Sequence, residues 1–321
     1  MQASQLKTAS MRDSFSETLY QLAVNDPRVF VLDGDLATST KIEKVAKECP
    51  QKFLQMGIAE QNMLSVAAGL ATTGLQPWAV TFAAFMSKRA LDQIQVQIAQ
   101  PKLNVKMIGA YSGLLTGVTG KTHQALEDIA IFRSLANMTV LAPADSVETA
   151  KMMEWANQYD GPVYIRLARD NYPILFDDSY VFKPNKGVVL NEGTDLTIIS
   201  TGTATSRALE AAKILKQNNI SSAVVHLPSI KPIDQELIIE MAVKTKAIVT
   251  VEEHSIYGGL GGAIAEILAA NAPTPIEFVG VKDRNSESAS NEALLEKYEI
   301  STKYIVEAGQ RVNLRKNSDF N

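Results

Sequence analysis

Glu60 is the only acid in "QMGIAEQNM" (55–63), with Met56, Ile58 and Met63 around it and the small apolar run "LSVAAGLA" after it. Two chemistries suit such a residue. An acid in the first turn of a helix interacts favourably with the helix dipole. A buried carboxyl has its charged form disfavoured and can exchange a proton with a basic nitrogen of a bound ligand. The residues alone leave both open. Other reactive side chains recur at comparable places along the chain. "DGDLATST" (33–40) offers Asp35, Ser39 and two threonines. "TFAAF" (81–85) presents Phe82 and Phe85 three positions apart, which suits core packing or an aromatic platform for a planar ring. "GAYSGLLTGVTGKTHQALED" (109–128) carries four glycines and His123, a residue able to act as acid, base or hydrogen-bond donor. A loop that long is often functional. "RLARDN" (166–171) supplies Arg166 and Arg169, whose guanidinium groups suit an anionic partner.

These stretches fall at the ends of expected strands. Short β-branched runs at 28–35, 53–57, 78–82, 104–110, 138–145 and 162–168 alternate with helical patterns. The first helix carries Met11, Phe15, Leu19 and Leu22 on one face. Others cover "AEQNMLSVAAGLATTG", ending near Gly74, run through "KRALDQIQVQIAQP", and begin near Ser146, the expected cap. Near 172–193 prolines, glycines and scattered charges break the pattern. It restarts with strands at 195–202, 221–227, 247–253 and 276–281 and a last helix from about Thr302; "RKNSDFN" reads as a frayed tail. Apolar strands joined by helices predict mainly parallel sheets covered on both faces. The expected organisation is two consecutive three-layer α/β/α domains, 1–178 and 193–321, with a linker at 179–192. In such sheets ligands bind at the carboxyl ends of the strands, where the candidate residues gather.

The 321 residues carry a net charge of −4, so no basic field points to nucleic acid or an anionic membrane. The single cysteine, Cys49, excludes an internal disulfide and a cysteine metal cluster, and fits a reducing compartment. The N-terminus lacks the apolar core of a signal peptide, and no apolar run is long enough to span a bilayer, so a cytoplasmic protein is expected. "GGLGGAI" lacks the full dinucleotide glycine pattern and its later acid, which favours a tight turn and close helix packing. His226, inside an expected strand, reads as a satisfied core or interface histidine, and His254 as a domain contact.

Taken in order, these motifs resemble the transketolase family over nearly the whole chain. "GIAEQNM" is similar to the segment whose glutamate bonds the aminopyrimidine of thiamine diphosphate, and "TFAAF" to the aromatics that pack on that ring. "GKTHQALEDIAIFRSLANMTVLAPAD" resembles the active-site histidine loop, "RLARDN" the phosphate-gripping arginine, and "VEEHSIYGGLGGAI" (251–264) the C-terminal domain signature. The Gly-Asp-Gly…Asn diphosphate and metal motif has no counterpart here. The resemblance therefore implies the small subunit of a split transketolase, made of the pyrimidine-binding and C-terminal domains and active only with a large subunit. That partner would hold the diphosphate and Mg²⁺ or Ca²⁺; this chain would hold no metal, and an α₂β₂ heterotetramer is expected.

By the same resemblance, Glu60 and His123 are the catalytic candidates. Glu60, Phe82, Phe85, Asp35 and Leu36 would meet the cofactor, and Arg169, Ser39, His123 and Tyr111 the substrate. The implied reaction transfers a two-carbon ketol from a ketose to an aldose. Three departures bear on the sugar. Tyr111 stands where the family has a phosphate-contacting histidine, Thr119 where it has an acid, and Lys121 where it has proline. They suggest a branched or sulfonated sugar as well as a sugar phosphate. The alternatives are the β subunit of a 2-oxoacid dehydrogenase, which shares the two-domain plan, and a non-catalytic regulatory partner.

Overall fold

The seven residues Gln76–Phe82 are all buried, as only a central strand covered on both faces requires. In the computed structural model, which describes residues 7–316, this run is β4 of a seven-stranded sheet. The strands are β1 (Thr8–Ser10), β2 (Val29–Asp33), β3 (Phe53–Gln55), β4 (Gln76–Phe82), β5 (Lys106–Ala110), β6 (Thr139–Leu141) and β7 (Val163–Leu167). They continue with β8 (Asn171–Pro173), β9 (Val188–Asn191), β10 (Leu196–Ser200), β11 (Ser222–His226), β12 (Ser229–Lys231), β13 (Ile248–Ser255) and β14 (Ile276–Val281). The first sheet has the order β12-β6-β7-β5-β4-β2-β3, the second β14-β13-β10-β11-β9, and β1 pairs with β8. Within each large sheet the pairings are parallel except at one edge, where β12 and β9 run antiparallel to their neighbours.

Two edges depart from the expected division. β9 lies inside the stretch expected to be a linker and closes the second sheet against β11. β12 comes from the second half of the chain yet extends the first sheet beside β6. Strands this short carry no readable alternation, so neither was visible in the sequence. The helix from Ser146 to Gln158 is capped by Asp145 rather than Ser146: the Asp145 carboxylate accepts the Glu148 N–H at 2.8 Å. Of the expected tail, Arg315 ends the last helix and residues 317–321 lie outside the described residues.

Buried polar groups stitch the halves together. Glu148 is fully buried and accepts from Ala144 N–H (2.7 Å) and the Tyr180 hydroxyl (2.6 Å), and it bonds His226 Nε2 (2.8 Å). The other imidazole nitrogen of His226 meets Thr205 Oγ1 at 2.9 Å, so this histidine is a satisfied interface group. The glycines of "GGLGGAI" open the helix Leu260–Asn271. Its first free N–H groups, Leu260 and Gly261, donate to the buried Glu252 carboxylate at 2.7 and 2.8 Å. A Cβ at Gly259 would strike that carboxylate. The helix end is thus filled by the chain's own anion, which leaves no place there for a dinucleotide phosphate.

Lys106, in the middle of the first sheet, is also fully buried. Its Nζ donates to the carbonyls of Tyr159 (2.7 Å) and Gly161 (2.8 Å), and burial pulls its pKa down to about 7. The unfolded chain keeps the ordinary, higher value and binds the proton more readily. Stability should therefore rise as pH increases from about 7 towards 10 and level off above the unfolded pKa. Thermal unfolding of wild type against Lys106→Met across that range should show a steeper rise in wild type.

Candidate active site

Four adjacent strands of the first sheet, β7, β5, β4 and β2, end at Leu167, Ala110, Phe82 and Asp33. Because they run parallel, the segments that follow them meet along one edge. Asp33 shapes the first segment. Its carboxylate accepts the N–H groups of Leu36 and Ala37 and the Gln55 side-chain amide (2.7 Å), while burial pushes its pKa up. Gln55 also accepts the Asp35 N–H at 3.0 Å. Asp35 and Tyr111 both sit in the left-handed backbone region, with φ of 65° and 55°. Non-glycine residues hold such conformations at a cost of about 1–3 kcal/mol, and they cluster at functional sites.

Glu60 opens the helix Glu60–Thr72 and is only 3% exposed. It therefore lies in the first turn and is also buried. Its partner is Arg89, whose Nη1 donates to Oε1 at 2.9 Å and Oε2 at 3.1 Å. The Arg89 guanidinium also lies 4.0 Å from the centre of the Phe85 ring. From there contact passes through rings. His123 sits edge-on to Phe85 at 5.1 Å and to Phe82 at 6.0 Å, with Nδ1 bonded to Thr122 Oγ1 at 2.8 Å. Phe82 stacks on Tyr111 at 4.2 Å.

Tyr111 joins the anion-binding candidates. The guanidinium carbons of Arg12 and Arg169 lie 5.5 and 5.3 Å from its ring centre. Arg12 Nη1 donates to the Tyr111 hydroxyl (3.1 Å) and to the Ser39 carbonyl (2.9 Å). Its Nε donates to the Arg169 carbonyl at 2.7 Å, and Arg169 Nη1 donates to the Thr116 carbonyl at 2.9 Å. A chain of direct contacts thus runs from Glu60 to Arg169, with Ser39 beside it. Leu36 packs in the same hydrophobic cluster as Phe82, Phe85 and Tyr111.

Arg166 does not join this group. It is 7% exposed and bound through Nε and Nη2 to the fully buried Asp128 at 2.7 and 3.0 Å. It sits within β7, whose covered faces leave the side chain no path to an external anion. Two residues of this cluster were not singled out from the sequence. Arg89 lies four residues after Phe85, a spacing that places both on one helix face. Arg12 is a half-buried polar residue of the first helix, off its apolar face, and only the fold brings it to Ser39 and Tyr111.

Residues 7–174 match the transketolase pyrimidine-binding domain family, and residues 185–305 the transketolase C-terminal domain family. The chain belongs to the transketolase family. It is 42% identical to a putative transketolase C-terminal section of Methanocaldococcus jannaschii, over 92% of this chain and 93% of that protein. It is 38% identical to a 6-deoxy-6-sulfo-D-fructose transketolase subunit of Clostridium sp. (strain MSTE9), over 96% and 95% of the two chains. A split-gene transketolase solved as an inactive β₄ tetramer superposes with a TM-score of 0.90 at 45% identity, covering 96% of this chain and 99% of that one. Both expectations about fold, two α/β domains with mainly parallel sheets and the transketolase family itself, therefore hold. No helix among the described residues is long and apolar enough to cross a membrane.

Proposed function

We propose that this chain is the small subunit of a split, thiamine-diphosphate-dependent transketolase that transfers a two-carbon ketol group between sugars with a terminal anionic group. The observation that carries this reading is the Glu60–Arg89–Phe85 arrangement. A flat cation bearing N–H groups already lies on an aromatic face and donates to a buried carboxylate. An aminopyrimidine ring asks for the same surroundings: an aromatic face and one buried acceptor for a ring nitrogen. The residues present fit the cofactor on that test. Arg89, with its side chain 47% exposed, is free to yield the acceptor.

When bound, thiamine diphosphate supplies the nucleophilic carbon that breaks a ketose carbon–carbon bond and carries the two-carbon fragment. Glu60, itself buried, would hold a proton against the ring nitrogen. Phe82 and Phe85 orient the ring. Asp35 and Leu36 border it. His123, tethered by Thr122, exchanges hydrogen bonds and protons with substrate hydroxyls. Arg12, Arg169, Ser39 and Tyr111 hold the anionic end of the sugar. A separate chain would hold the cofactor's diphosphate and the Mg²⁺ or Ca²⁺ bound to it, and α₂β₂ is the proposed assembly.

The relatives support an unusual sugar. One is named for a sulfofructose, and another, 36% identical over 92% of this chain, is an apulose-4-phosphate transketolase chain of Phocaeicola vulgatus. The test is to mix this chain with a diphosphate-binding chain, thiamine diphosphate and Mg²⁺. Ketol transfer is then measured across xylulose 5-phosphate, ribose 5-phosphate, sulfofructose and apulose 4-phosphate. Transfer by the mixture and none by this chain alone supports the proposal; equal activity without the partner refutes the split arrangement. Within that assay, Arg12→Gln should raise KM for the anionic sugar about tenfold with little change in kcat, the loss of one charge-assisted hydrogen bond.

A further inference from the structure

The two adjacent glutamates of "VEEHSIYGGLGGAI" serve different domains. Glu252 is spent within its own domain on the N–H groups of Leu260 and Gly261. Glu253, 5% exposed, points across the boundary into the first domain. Its Oε1 accepts the Leu115 N–H at 2.9 Å, and Leu115 lies in the long glycine-bearing loop between Tyr111 and His123. Its Oε2 accepts the Thr203 hydroxyl at 3.1 Å, with Arg207 Nη2 at 3.7 Å to balance the charge.

The loop is cut to receive it. Gly113 has a φ of +79°, and a Cβ there would strike Glu253 Oε1 and lie 3.0 Å from its carbonyl oxygen. Two more ties come from the same strand, β13. The Glu253 carbonyl accepts from Arg166 Nη2 at 3.2 Å, and Ser255 N–H donates to the Leu126 carbonyl at 2.8 Å. The grip on Leu115 is one residue from Thr116, whose carbonyl receives Arg169 Nη1 at 2.9 Å.

We infer that Glu253 is a positioning residue: the C-terminal domain uses its carboxylate to hold the loop that carries Tyr111, His123 and the carbonyl that aims Arg169. This deepens the proposed function and rests on it for the kinetic consequence. The mechanical part stands on the contacts alone. Without the carboxylate, the Leu115 N–H is left buried and unpaired beside two glycines, Gly113 and Gly117, both with positive φ.

The test compares Glu253→Ala, Glu253→Asp and Glu253→Gln in the full chain. Asp keeps the charge but loses reach, and Gln keeps an acceptor for Leu115. Hydrogen exchange on the chain alone should show the 112–124 region opening about tenfold faster in Ala and Asp and within about twofold of wild type in Gln. Peptides from β10 and β11 should be unchanged. In the assembled enzyme, KM for the anionic sugar should rise about tenfold in Ala and Asp with thiamine diphosphate affinity kept, because Glu60 and Phe85 lie off the loop. Should Ala not fold, Asp alone decides. A lower melting temperature with loop exchange and KM both at wild-type values in Asp would reduce Glu253 to a packing residue and overturn the inference. Absence of ketol transfer in wild type would remove the proposed function and leave the exchange result to judge the clasp.

Discussion

Glutamine in place of Glu60 is expected to lower kcat of the assembled enzyme by about 10²–10⁴-fold, the usual contribution of a positioned proton-transfer group. The substitution keeps size and shape and removes only the ability to hold a proton against a ring nitrogen. Hydrogen–deuterium exchange at the cofactor's thiazolium C2 should fall with kcat, because that exchange reports proton removal before any sugar binds. The fold should survive. Glu60 is the first residue of its helix, and the amide oxygen still accepts from Arg89 Nη1. A circular dichroism spectrum like wild type beside slow C2 exchange supports the role. Wild-type exchange rates in Glu60→Gln would exclude Glu60 from the chemistry, whatever happened to KM.

The same carboxylate shows how far the residues alone could go. Glu60 stood out as an acid among apolar neighbours, but whether it was a first-turn acid or a buried carboxyl was left open by the residues; only the fold shows that it is buried. Its partner Arg89 lay 29 residues away and needed the packing of one helix against another to be seen. The parallel strands were legible because the central ones are rich in apolar residues on both faces and run for five residues or more, such as Val29–Asp33. The three-residue β12 was not, because its membership of the first sheet is decided by domain contact rather than by local pattern. The loop from Tyr111 to His123 was recognisable by its glycines and its histidine. What pins it, Glu253, is 138 positions from Leu115 and belongs to a motif whose glycines point to a turn and helix packing within the other domain. Arg166 illustrates the opposite error. Its sequence position beside Arg169 suggested an anion site, but Arg166 lies within β7 and is bound to buried Asp128, whereas Arg169 lies beyond the strand's end and reaches the Thr116 carbonyl.

Arg166→Met gives the largest expected loss of stability. Asp128 is fully buried, and accepts from Arg166 Nε (2.7 Å), Arg166 Nη2 (3.0 Å) and the Tyr164 hydroxyl (2.7 Å). Burial alone would push the Asp128 carboxyl up, but the guanidinium outweighs it and holds the pKa below the usual carboxylate range. Removing the guanidinium leaves that burial uncompensated. Breaking one partner out of a buried pair costs about 3–5 kcal/mol, which corresponds to a fall in melting temperature of roughly 10 °C. Nη2 also bonds the carbonyls of Ala125 (3.4 Å) and Glu253 (3.2 Å), so the loss reaches both domains. The sign with pH follows from the depressed carboxyl. Wild type keeps this stabilisation above the unfolded pKa of Asp128 and loses it as pH falls through the folded value, whereas in Arg166→Met the uncompensated burial raises the carboxyl's pKa, so protonation relieves part of the deficit and the gap to wild type should narrow on the acid side. Replacing both members, Asp128→Leu with Arg166→Met, should recover much of the deficit, because the penalty lies in the stranded charge rather than in the missing attraction. If Arg166 instead gripped the substrate, Arg166→Met would melt like wild type and show its defect only as a raised KM. Differential scanning calorimetry beside steady-state kinetics therefore separates a buried brace from a binding group at this one position.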